Sequence, residues 1–112
     1  MFYKFYCYEA LIKEDVKKLF QSRFAISANT YDRIITENAN MDLLFEMLTK
    51  RNMYDVCHNL NSIKDDIPDE LKIAIEYENG YHPDEVIFVT TNKEMAIVAN
   101  KYFGPDSIKL MK

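Results

Sequence analysis

The chain has 112 residues, of which 48% are hydrophobic, and this is enough for one compact domain and too little for two. Its formal net charge is −4, so we do not expect it to hold nucleic acid mainly by neutralising phosphates. No apolar run approaches the ~20 residues of a membrane span, and the N-terminal run, interrupted at Lys4, lacks the cleavage site of a signal peptide. We therefore expect one cytoplasmic domain over residues 1–112, without membrane contact.

The cysteines and histidines do not form a recognisable metal site. Cys7, Cys57, His58 and His82 include no C-x-x-C motif and only one adjacent pair, so we expect buried thiols and surface histidines rather than a zinc centre. The chain has 2 glycines and no glycine-rich nucleotide-binding motif. A phosphate-binding loop built from glycines is therefore not predicted.

The first part of the chain predicts a strand, a helix and a second strand. Residues 2–8 are dense in aromatic side chains, which is typical of a strand buried on both faces. Residues 24–27 predict the second strand. The helix between them should begin at about Glu9 or Lys13 and end at Ser22. It is predicted from apolar residues at helical spacing: Ile12, Val16, Leu19 and Phe20.

The middle of the chain is predicted to be helical. Asn29 can cap a helix that ends near Asn38, and Asn40 can cap the next one. Apolar residues at helical spacing then follow in two groups: Leu43, Leu44, Met47 and Leu48, and then Met53, Val56, Cys57, Leu60 and Ile63. Pro68 in a first-turn position and Gly80 at the end predict one more helix, although the residues between them also have a strand-like composition.

The last part of the chain predicts a strand, a helix and a closing strand. Residues 85–91 form a continuous β-branched and aromatic run of the kind found in the centre of a parallel sheet. Thr91 and Glu94 make a capping box for the helix that follows, and Gly104 should end it. Four residues should form its buried face: Met95, Val98, Ala99 and Tyr102. Residues 107–111 return as a strand.

This order of elements predicts a three-layer α/β domain, with a mostly parallel sheet of about four strands flanked by helices. We expect Val86, Phe88 and Val98 in its core. Sheets of this kind bind ligands beyond the carboxyl ends of their strands. In this chain that edge would include residues 90–92 (Thr, Thr and Asn).

The stretch 84–111 resembles the last conserved block of the PIN (PilT N-terminus) domains, which are small α/β metal-dependent ribonucleases. In that family the block is an apolar strand ending in a T-N-D type turn, a short helix with small residues and a closing strand. The segment VIFVTTNKEMAIVANKYFGPDSIKLM has this layout. The resemblance implies a PIN-like fold and, in an active member, three or four carboxylates around one or two divalent cations.

Carried over residue by residue, the resemblance implies Asp32 and Asp69 as catalytic acids, and Asp32, Asp69 and Asn92 as metal ligands. Glu70 fits the place of Asp69 equally well. The chain departs from the family at residues 7–9, which are Cys, Tyr and Glu where the family has D-x-N, and at Asn92, which stands where the turn has its acid. Glu9 is a conceivable substitute. Asp32, Asp69 and Glu70 also suit the first turns of helices, where each acid contributes ~0.3–1 kcal/mol without a catalytic role.

We therefore expect a small PIN-like domain with a degenerate acidic site and no cofactor, acting as a regulator or adaptor that binds a protein partner. A composition rich in Lys, Ile, Asn and Tyr suits a low-GC bacterium or its phage. One alternative is a ribonuclease that acts on RNA with Mg²⁺ or Mn²⁺ held by Asp32 and Asp69. The other is an antitoxin-like or structural protein that forms a homo-oligomer.

Overall fold

The computed structural model describes residues 3–58, 68–80 and 86–111, apart from the side chains of residues 76 and 78–80. Its strands are β1 Tyr3–Tyr6, β2 Phe24–Ser27, β3 Tyr54–Cys57, β4 Val86–Thr90 and β5 Ile108–Leu110. Its α-helices are α1 Tyr8–Lys13, α2 Val16–Leu19, α3 Ala28–Glu37, α4 Met41–Thr49, α5 Asp69–Gly80 and α6 Lys93–Phe103. Short 3₁₀ turns cover Arg51–Met53 and Pro105–Ser107.

The five strands form one parallel sheet in the order β3-β2-β1-β4-β5. The predicted α/β class with a parallel sheet is confirmed, with five strands instead of about four. Because β1 is central, the chain builds one half of the sheet with β2 and β3 and the other half with β4 and β5. The order reverses between β1 and β4, and this switch point at the carboxyl ends is where open α/β sheets place their ligands.

Each face of the sheet carries an apolar core, as the alternation of side chains along β1 shows. Tyr6 packs into the cluster beneath α1 to α4, whereas Phe5 packs into the cluster beneath α5 and α6. Val86 and Phe88 are buried in the second cluster, as predicted, and Val98 is half-buried against it. The sheet is therefore the middle of three layers.

The helix predicted through Val56 and Cys57 is wrong, because these residues belong to β3 and pair with β2. The buried ring of Tyr54 stacks on Phe24 at a centroid distance of 5.4 Å. Pairing and packing with a neighbouring strand here override the local helical spacing. The remainder of that predicted stripe, at residues 60–63, lies outside the described residues.

The helix predicted to reach Ser22 is also wrong, because it is divided into α1 and α2. The carboxylate of Asp15 accepts the amide of Lys17 at 2.9 Å and so starts a new helix. For α3 the cap is Ser27 rather than Asn29. The predicted cap at Asn40 and the predicted helix that ends at residue 80 are confirmed.

The predicted capping box of α6 is one residue out of place. Asn92, not Thr91, is the N-cap, and its side chain accepts a first-turn amide at 3.1 Å. Tyr102, predicted to be buried, is 43% exposed, and Phe103 packs against the core in its stead. Gly104 ends the helix with a φ of +83°, a backbone conformation that other residues rarely adopt.

Candidate functional site

Four short side chains form a row across the carboxyl edge of the sheet. Ser27 lies opposite Cys57 in the pairing of β2 with β3. On one side of β1, Phe5 pairs with Ala25, and on the other side Tyr6 pairs with Val89. Extending both registers to the residue that follows β1 places Cys7 between Ser27 and Thr90. Cross-strand neighbours share one face of a sheet. The row, which we call the carboxyl-edge row, therefore consists of Cys57, Ser27, Cys7 and Thr90.

Glu70, in the first turn of α5, is the carboxylate that reaches the carboxyl-edge row. One of its oxygens accepts hydrogen bonds from the hydroxyls of Ser27 and, at 3.4 Å, Thr30. The other oxygen is buried and has no hydrogen-bond partner among the residues that the structure describes. Burial raises the pKa of Glu70, and the two hydroxyl donors oppose that rise only in part.

The two thiols of the row are held in their neutral form. Burial raises the pKa of Cys7 to about 12, and the nearby carboxylate of Glu70 adds to the rise. Burial also raises the pKa of Cys57 to about 12, with Asp55 and then Glu70 as further causes. Since the thiolate is the form that attacks electrophiles and binds metal ions, neither thiol is activated for such chemistry at neutral pH.

A pocket opens beside Glu70, where the first turns of α3 and α5 meet. Its volume is ≈ 320 Å³, which is at the low end for sites that bind small molecules. It is lined by three apolar and three polar residues: Ala28, Pro68, Ile73, Asn29, Asp69 and Glu70. The pocket thus gives solvent access to the neighbourhood of Glu70, whose carboxylate reaches the row.

The residues predicted as metal ligands belong to three different elements of the fold. Asp69 lines the pocket, with its side chain 78% exposed and 3.9 Å from the ammonium of Lys72. Asp32 is exposed on α3, one helical turn beyond the pocket residue Asn29. Asn92 is at the end of β4, where it caps α6.

Among the side chains that the structure describes, no three His, Cys, Asp or Glu are placed to hold one metal ion. The assignment of Asp32, Asp69 and Asn92 as ligands stays a prediction. Glu9, the conceivable fourth ligand, is exposed in the first turn of α1. Ser27 was missed by sequence reasoning, although a hydroxyl directly at the end of a buried strand is a signal that could have identified it.

A second surface of the protein is apolar and lies on α4. Met41, Phe45 and Leu48 are 61%, 66% and 44% exposed. Their i, i+4, i+7 spacing places them on one face of the helix, whereas Leu43 and Met47 are buried on the other. We call this exposed row of three the α4 stripe. Apolar side chains gathered in this way mark surfaces that bind other proteins.

The helix that carries the α4 stripe is fixed at both ends. At the start, the amide of Asn40 donates to the carbonyl of Ile12 at 3.2 Å and its oxygen accepts the amide of Leu43 at 3.1 Å. Near the end, the hydroxyl of Tyr54 donates to the carbonyl of Met47 at 2.8 Å. The stripe is therefore presented by a helix that its neighbours hold in one orientation.

Comparison with protein-family models, curated proteins and solved structures finds no match to the chain. In the described part of the chain, no helix combines the length and the apolar character needed to cross a membrane. The function of the protein is therefore inferred from the chemistry of the carboxyl-edge row and of the α4 stripe.

Proposed function

We propose that the protein is a PIN-like, non-catalytic domain that binds another protein and acts as a regulator or adaptor. The observation that carries this proposal is the α4 stripe. Complete burial of a Met, Phe or Leu side chain is favourable by about 1.5–3 kcal/mol. The three side chains of the stripe are 44–66% exposed on a helix that is fixed at both ends. A partner that buries them therefore gains part of this free energy.

The chemistry of the carboxyl edge supports a binding role over a catalytic one. The PIN-like resemblance would need an acid at Cys7, where a neutral thiol lies near Glu70. It would need another acid at Asn92, which is used as a helix cap. Hard divalent cations prefer anionic oxygen ligands, and the pKa of Glu70, whose carboxyl group reaches the row, is raised.

The proposal is tested by affinity capture from cells that produce the protein, with the parent and Phe45→Asp as baits. We expect a protein that is retained by the parent and lost from the variant, because an aspartate at the centre of the stripe would have to be desolvated on binding. Ile97→Asp is the matched control, since Ile97 is 67% exposed on α6. Retention of the same protein by Phe45→Asp would contradict the proposal. Equal melting temperatures must show that all three baits are folded.

A metal-dependent ribonuclease is the second candidate, and the pocket beside Glu70 favours it. Asp69 and Glu70 both line this pocket, and Asp32 lies one turn away from its edge. The test is calorimetric titration with Mn²⁺ and Mg²⁺, combined with a cleavage assay on single-stranded RNA. Metal binding together with cleavage that Asp69→Asn abolishes would establish the nuclease and overturn the non-catalytic proposal.

A further inference from the structure

We draw no further inference here: the strongest candidate, the pocket where the first turns of α3 and α5 meet beside Glu70, belongs to the site already described at the carboxyl-edge row, and nothing among the described residues shows which ligand it would hold.

Discussion

The hydroxyl of Ser27 donates a hydrogen bond to the carboxylate of Glu70, and this contact joins the end of β2 to the start of α5 across 43 positions. The same hydroxyl oxygen accepts the amide of Thr30 at 3.1 Å and thereby caps α3. One buried side chain thus positions two helices relative to the sheet. Because the acceptor is a carboxyl group whose second oxygen is unpaired within the described residues, its protonation should affect stability.

Replacing Glu70 by glutamine should change how stability depends on pH. The folded pKa of Glu70 lies above its unfolded value of 4.5, so the folded protein binds this proton more tightly than the unfolded chain does. Stability from this group is fully present below pH 4.5 and is lost as pH rises through the folded pKa. Glutamine does not titrate, so the free energy of unfolding of Glu70→Gln minus that of the parent should increase from pH 4.5 to neutrality. Urea unfolding measures both.

The control for this experiment is a substitution that removes no titratable group. Ile97 is 67% exposed, so Ile97→Ala should change the free energy of unfolding by about the same amount at every pH. If the difference between Glu70→Gln and the parent were independent of pH, the buried position of the Glu70 carboxyl would be wrong.

Truncating Phe88 should remove much of the stability of the domain. Its ring is fully buried and lies 6.2 Å from the ring of Phe5 and 5.8 Å from that of Phe103, measured between centroids. Phe88→Ala should cost about 3–5 kcal/mol, because it loses buried apolar surface and leaves a cavity. Ile97→Ala, at an exposed position, should change stability by less than about 0.5 kcal/mol. Urea unfolding that gives a cost below ~1 kcal/mol for Phe88→Ala would contradict the interior position of β4 in the sheet.

The cap of α6 gives a prediction that distinguishes two adjacent residues. Asn92→Ala removes the side-chain acceptor of the Met95 amide and should destabilise the protein by ~1 kcal/mol. Thr91→Ala removes no cap and should cost clearly less. Thermal unfolding of the two variants gives the comparison. A larger loss for Thr91→Ala would restore the capping box that the sequence alone predicts.

Restoring acids to the carboxyl edge tests the PIN-like resemblance. In the double variant Cys7→Asp with Asn92→Asp, a carboxylate replaces the thiol that lies near Glu70. Carboxylates this close repel one another unless a cation lies among them. We therefore expect the variant to melt below the parent in chelator and to regain stability with Mn²⁺, with no such metal dependence in the parent.

Thermal unfolding in chelator and in Mn²⁺ provides the measurement for this variant. The single change Asn92→Asp is the control, because aspartate also caps a helix and should leave the melting temperature near that of the parent. A double variant whose melting temperature responds to neither chelator nor metal would show that these positions do not converge, and the PIN-like interpretation would be abandoned.

The strands were predictable from sequence where both of their faces are buried. The runs that became β1, β2 and β4 are mostly apolar, since each lies inside the sheet with helices above and below. By contrast, β3 is an edge strand, half-buried after Tyr54 and containing Asp55. The guanidinium of Arg23 pairs with that carboxylate across the two strands. Pairing with the neighbouring strand determines the structure of such a segment more than its own composition does. The helical spacing of its apolar residues was therefore misleading.

The sequence alone narrowed the acid that faces the sheet to two residues but could not distinguish between them. Asp69 and Glu70 are both first-turn acids of α5 and satisfy the helix dipole equally well. Which of them faces the sheet depends on how α5 is rotated about its axis, and that rotation is set by Leu71 and Ala74 packing beneath it. Tertiary packing turns Glu70 toward the sheet, and the assignment of Asp69 as a catalytic and metal-binding acid stays a prediction.

The central position of β1 has a consequence for the synthesis of the protein. One side of β1 pairs with β2, and the other pairs with β4, where Tyr3 lies opposite Val86. Because ribosomes make chains from the amino end, β1 is translated long before its second neighbour. Until then one hydrogen-bonding side of an aromatic strand is open to any other unfinished chain or chaperone. We therefore expect the protein to be most prone to aggregation during its synthesis. Messenger RNAs truncated before β4 should yield insoluble fragments.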